Sequence, residues 1–296
     1  MTKKTIFKGI ATAIVTPLDE NGINYAQFAN HIEWQIAEGV NGIVVCGTTG
    51  EASTLTDDEH REAIKFVAKQ VDGRVPVIAG TGSNDTAYAL DLTRCACEAG
   101  VDSVLVVTPY YNKTTQKGLV KMFTEIADCS SVPVILYNVP SRTGMNIECK
   151  TYLELSEHPN ISAVKEAGGD ISKIADTIAL CRGKLDVYSG NDDQIVPIMA
   201  LGGIGCISVL SNIHPRKTAE ICKLFFEGKI AESTTLQLDM IPLIHALFSE
   251  VNPIPVKAAV AAMGYCRNYL RSPLAVMEDA HYQVLLNEMR KSGLNV

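Results

Sequence analysis

Residues 75–107 read VPVIAGTGSNDTAYALDLTRCACEAGVDSVLVV, and this stretch decides the fold. The run opening at Val75 is almost wholly apolar, as expected of a strand covered on both faces. Over residues 85–99 the apolar positions take up helical spacing, and Ala99-Gly100 supplies a C-terminal stop. A second apolar run begins at Ser103. Strand, crossover helix and strand form the unit from which parallel sheets are built, with right-handed connections.

Outward from this stretch the unit repeats. Apolar runs begin near Ile10, Gly42, Val75, Ser103, Val132, Ile161, Leu185 and Cys206, with amphipathic patterns such as Asp57–Val71 between them. The first helix carries Phe28, Ile32 and Ile36 at fourfold spacing. Eight such units predict an α/β chain folded as a (β/α)8 TIM barrel. An open doubly wound sheet usually has fewer strands and a nucleotide fingerprint in its first turn, which is missing here. Beyond Asn212 the strand signal stops. Helical patterns over residues 233–250, 255–264 and 279–291 predict a C-terminal helical extension. We therefore expect a catalytic barrel over residues 1–227 and a C-terminal helical domain over 228–296.

With 47% hydrophobic residues in 296, the chain can bury the core that a barrel needs. A net charge of −7 provides no basic footprint for nucleic acid, and no apolar run is long enough for a membrane span, so a soluble protein is expected. Lys3, Lys4 and the apolar residues 10–13 mimic a secretion signal, but Lys8 interrupts it too early, and the segment reads as the first strand. Nine scattered cysteines, an odd number, suggest reduced thiols and a cytoplasmic location. Cys95 and Cys97 would face different directions on a helix, and the six histidines lack ligand spacing, so no metal site is expected.

In a barrel, chemistry sits where strands end. Lys165 interrupts the apolar run ISAVKEA over residues 161–167, where an ammonium is unwelcome. Strict alternation would put Ile161, Ala163, Lys165 and Ala167 on one face, leaving open space beside the lysine stem. A desolvated lysine holds its proton less tightly, and its free amine can form a Schiff base with a carbonyl substrate. Gly47-Thr48-Thr49-Gly50-Glu51 follows the second strand; it suits a small carboxylate, and an ordinary glycine turn would look the same. Thr108-Pro109-Tyr110-Tyr111-Asn112 follows the fourth. The fifth strand ends in Tyr137 and leads to Arg142, placing a phenol and a guanidinium on the same rim. Gly202-Gly203-Ile204-Gly205 resembles a phosphate loop, but it precedes the eighth strand, on the opposite face, and is expected to be a packing turn.

GTTGE, TPYYN, YNVPSRTG, VKEA, SGND and NPIPVK, in that order and at those separations, closely resemble the dihydrodipicolinate synthase family. That family lies in the pyruvate-dependent class I aldolase superfamily, which also contains N-acetylneuraminate lyase. The resemblance spans essentially the whole chain. It implies condensation of pyruvate with L-aspartate 4-semialdehyde, with Lys165 forming the imine, Tyr137 as acid and base, Thr48 as relay, and Tyr111 reaching the site from a neighbouring subunit. It further implies that Thr48 and Thr49 hold the pyruvate carboxylate and that Arg142 binds the semialdehyde carboxylate, with Gly190 and Ile207 also lining the substrate site. No metal or organic cofactor is implied, since the lysine imine is the electron sink. A homotetramer built as a dimer of dimers is implied as well.

The same resemblance implies a lysine effector pocket at Ala52, Ser53, Asp57, His60, Asn84, Tyr88 and Tyr110. Tyr88 stands where regulated members carry a glutamate, and Asp57 replaces a histidine, so weak or absent lysine inhibition is expected. Two other readings compete. A sister aldolase, such as N-acetylneuraminate lyase or a 2-keto-3-deoxy-sugar acid aldolase, would share the lysine, tyrosine and carboxylate loop. A barrel that senses a metabolite without catalysis would have no use for Lys165, Tyr137 and Thr48 together.

Overall fold

The computed structural model describes residues 3–296. Its barrel strands are β1 (Gly9–Ala13), β2 (Gly42–Val45), β3 (Val77–Gly80), β4 (Ser103–Val107), β5 (Val134–Asn138), β6 (Ile161–Glu166), β7 (Asp186–Ser189) and β8 (Gly205–Ser208). Each is parallel to its neighbours in sequence order, and β1 pairs with both β2 and β8, which closes the barrel. Helices follow the strands as α1 (Tyr25–Ala37), α2 (Asp57–Val71), α3 (Thr86–Glu98), α4 (Gln116–Cys129), α5 (Cys149–Ser156), α6 (Ile171–Cys181), α7 (Ile195–Ala200) and α8 (Pro215–Phe226). The expected (β/α)8 barrel is therefore present, with its strands starting within two residues of the sequence estimates.

Local chemistry starts and stops these helices. Thr56 and Glu59 form a reciprocal capping box on α2, and the Asp85 side chain accepts from Ala87 N–H at the start of α3. The helices bury one face against the outer surface of the strands, in a cluster containing Ile43, Val45, Val104, Val106, Val134 and Leu136. Alternate residues Val44, Leu105, Ile135 and Tyr137 form a second cluster with Ala163, Tyr188 and Ile207. This second cluster fills the barrel interior, since successive side chains of a strand face opposite ways. Phe7, just ahead of β1, joins this interior cluster and stacks on Tyr188 at 4.1 Å.

Alternation along β6 differs from the sequence reading at one point. The pairing of β5 with β6 shifts register between Val134 and Ile135, so that Val134 faces Ile161 while Ile135 faces Ala163. The extra residue, Ser162, turns Ile161 outward into the helix-facing layer with Val164, whereas Ala163 stays in the interior cluster. Ile161 thus does not share the inner face. The Gly202–Gly205 segment packs as expected: Gly205 has φ +151°, and a Cβ there would stand 1.9 Å from Gly9 O.

Beyond the barrel come α9 (Ile230–Leu247), α10 (Ile254–Ala262) and α11 (Asp279–Lys291). The first starts three residues before the sequence pattern placed it. Its N-terminus at Lys229 has no side-chain cap to mark it, and Ser233 donates instead to Ile221 O. These helices share an apolar cluster with Ile10 and Cys206 on the outer face of β1 and β8, so the extension is fastened to the barrel by common core. No helix among the described residues is long and apolar enough to cross a membrane.

Candidate active site

Lys165 lies next to the end of β6 and is 6% exposed. It pairs in register with Tyr137 on β5 and with Tyr188 on β7. Its Nζ sits 4.5 Å from the centre of the Tyr137 ring, where the π face favours a cation. The stem occupies a slot that exists because residue 190 is glycine. A Cβ on Gly190 would stand 3.1 Å from Lys165 Cε and 2.7 Å from Ala167 Cβ. Ile207 is buried in the interior cluster with Tyr137 and Ala163.

Just after the end of β7 lies a carboxylate with no role assigned from the sequence beyond its place in SGND. Asp192, fully buried, accepts from Val209 N–H at 2.9 Å and Leu210 N–H at 2.8 Å. Burial pushes its carboxyl up, opposed by the Ser208 hydroxyl, by those two N–H groups and by the charge of Lys165. Its only sequence signal was an acidic residue just after the strand-end Ser189-Gly190-Asn191. Glu166, next to Lys165, takes no part in the interior; it accepts from Tyr152 Oη, Asn138 Nδ2 and Gly168 N–H, each at 2.8 Å.

Thr48, Tyr137 and Arg142 line one cavity of about 390 Å³. Thr48 and Thr49 belong to a tight turn in which Gly50 N–H donates to Gly47 O and Glu51 N–H to Thr48 O, both at 3.1 Å. Glu51 holds a left-handed φ of 56° and Cys46 one of 54°, uncommon for residues with side chains. Thr49 is buried, and its hydroxyl accepts from Asn252 Nδ2 at 3.1 Å. Arg142 lies on the short helical turn Pro140–Thr143, and its guanidinium donates to Asn252 O at 2.9 Å. Asn252 therefore joins the turn over residues 47–51 to the rim arginine. It was visible beforehand only as the first letter of NPIPVK.

Tyr111 stands apart from this cavity, 92% exposed, with a left-handed φ of 70°. A bulky residue in that region carries backbone strain, which tends to be retained at functional positions.

The same cavity continues past Ala52, Ser53, His60, Tyr88 and Tyr110. His60 is buried, with Nε2 2.8 Å from Gly80 O, and burial lowers its pKa. Asn84 O accepts from Asn112 Nδ2 at 2.8 Å. Asp57 is already occupied: Arg61 Nε donates to one oxygen at 2.9 Å and Tyr88 Oη to the other at 2.8 Å. These two contacts, Arg61 first, hold the Asp57 carboxyl below its usual range, while burial and Asp57 push Tyr88 up to about 12. Tyr88 and Asp57, the two positions at which the expected effector pocket departs from the regulated pattern, thus bond to each other.

The dihydrodipicolinate synthetase family matches residues 6–291 of the chain. A relative from Lachnoclostridium phytofermentans, named 4-hydroxy-tetrahydrodipicolinate synthase, is 55% identical over 98% of this chain and 99% of its own. One of the same name from Thermoanaerobacter sp. (strain X514) is 51% identical over 98% of each chain. Among solved structures, dihydrodipicolinate synthase from Acinetobacter baumannii complexed with pyruvate superimposes with a TM-score of 0.95, at 41% identity, covering 98% of this chain and 99% of that one.

Proposed function

The chain belongs to the dihydrodipicolinate synthetase family, and from that premise we propose how its own residues carry the reaction. The reaction is the condensation of pyruvate with L-aspartate 4-semialdehyde to 4-hydroxy-tetrahydrodipicolinate, the first committed step toward diaminopimelate and lysine. Lys165 Nζ adds to the pyruvate ketone, and water leaves as the imine forms. The protonated imine draws electrons from the adjacent methyl group, which gives up a proton to become an enamine. The enamine carbon then bonds to the semialdehyde carbon, and the new alkoxide is protonated. Finally the substrate's own amine attacks the imine carbon, expels Lys165 and closes the ring.

Tyr137 is the acid and base for these transfers, with the Thr48 hydroxyl as relay. The Thr48 and Thr49 amides receive the pyruvate carboxylate, and Arg142 receives that of the semialdehyde, for which a planar fork is suited. The observation that carries this reading is the buried Lys165 amine against the Tyr137 ring, in a slot kept open by Gly190. Tyr111, strained and exposed, fits insertion into a neighbouring subunit, and we assign the chain to a homotetramer. Nine scattered cysteines fit a reducing cytoplasm.

Product formation from the two substrates, assayed with purified protein, tests the reaction. Turnover that disappears in Lys165→Arg supports it, because arginine cannot form the imine. A preference for N-acetylmannosamine as acceptor would assign the chain to a sister aldolase instead.

A further inference from the structure

The NPIPVK segment lies far from Lys165 in sequence, and the mechanism gives it no task. Its last residue, Lys257, sits on α10 with no solvent exposure. Lys257 Nζ donates to Glu51 Oε1 at 2.5 Å, and the Glu51 side chain is equally shut off from solvent. The same ammonium donates to Thr16 O at 2.6 Å. Thr16 in turn donates through Oγ1 to Gly50 O at 2.8 Å, and the second Glu51 oxygen accepts from Arg271 N–H at 3.3 Å. Glu51 is the last residue of the GTTGE turn, and its N–H holds Thr48 O.

We propose that the buried Lys257–Glu51 ion pair is a positioning device that fixes the pyruvate-carboxylate loop from the C-terminal helices. The role extends the reaction assigned above and rests on it. A fully buried ion pair is a poor source of net stability, because desolvating both charges offsets much of their attraction, and well-packed apolar residues often do as well. Two bonded charges do fix geometry, since neither can leave without stranding the other. Here the geometry fixed is that of Glu51, whose left-handed backbone sets the turn and whose N–H locates the Thr48 carbonyl. The Thr48 and Thr49 amides belong to that turn. Misplacement by about 1 Å is enough to cost on the order of a hundredfold in rate.

A merely structural pair and a positioning pair make different predictions. If the pair only stabilises, its loss changes melting temperature and leaves the Michaelis constants of the folded enzyme alone. The test compares the full-length double variant E51Q/K257M, which removes both charges together, with E51D, which keeps both charges and shortens the link by one methylene. We expect both variants to raise the pyruvate KM by roughly tenfold or more while the semialdehyde KM changes by less than about twofold. A folded double variant, or E51D, with the pyruvate KM of the unmodified enzyme overturns the proposal. Should the double variant not fold, E51D alone decides. Borohydride trapping of pyruvate on the unmodified protein is the control. Without an adduct there, the reaction assignment itself fails; an adduct alongside normal pyruvate KM in the variants removes only the positioning role.

Discussion

Gly190 and Lys165 are in a relationship of space: a Cβ on the glycine would stand 3.1 Å from the lysine Cε and 2.7 Å from Ala167 Cβ. Ala167 Cβ is fixed to backbone and cannot yield, so the added methyl group of Gly190→Ala would press the lysine stem aside. The expected result is a folded enzyme whose kcat/KM falls by at least roughly tenfold, since a displaced amine no longer meets the ketone at bonding distance. Rapid-quench measurement of imine formation checks it, and an unchanged rate would show that the slot has room to spare.

Arg142 is held to the C-terminal segment by Asn252 O at 2.9 Å. Arg142→Ala removes a charge-assisted partner for the semialdehyde carboxylate, a contact of about 1.5 to 3 kcal/mol. Semialdehyde KM should rise by roughly tenfold to a hundredfold while pyruvate trapping persists. Equal weakening toward both substrates would contradict the assignment of this arginine to the second one.

Much of this was legible in the sequence, for reasons that also show where legibility stopped. Strands covered on both faces read as apolar runs, so all eight could be placed, and Lys165 stood out because it violated such a run. The face of Ile161 was not legible, because the bulge at Ser162 is set by pairing with β5 and not by β6 itself. Nor were the pairings of Lys257 with Glu51, 206 residues apart, or of Tyr88 with Asp57. Such partners are chosen by the fold, and no local spacing announces them.

Assembly is tested through Tyr111, which at 92% exposure contributes nothing to its own chain's cavity. Analytical ultracentrifugation should show at least a symmetric dimer, and a tetramer at working concentration. Tyr111→Phe should lower kcat without altering that assembly. A fully active monomer would contradict delivery of the tyrosine from a neighbour.

Feedback by lysine should be weak or absent. The family resemblance implies that Tyr88 would face the effector's amines, and in this structure Asp57, the nearby carboxylate, is taken up by Arg61 and by Tyr88 itself. An ammonium arriving there would have to displace an existing charge-assisted bond. Tyr88→Glu should strengthen inhibition, because it adds a carboxylate and frees Asp57 of one donor. Inhibition of the unmodified enzyme at micromolar lysine would show that the substituted pocket still works.

The central claim is that the buried amine of Lys165 becomes covalently joined to pyruvate. Borohydride reduction in the presence of pyruvate, followed by peptide mapping, tests it most directly. A reduced pyruvyl adduct on the peptide containing Lys165, absent from Lys165→Arg, is the predicted result; an adduct on any other lysine, or none at all, would contradict it.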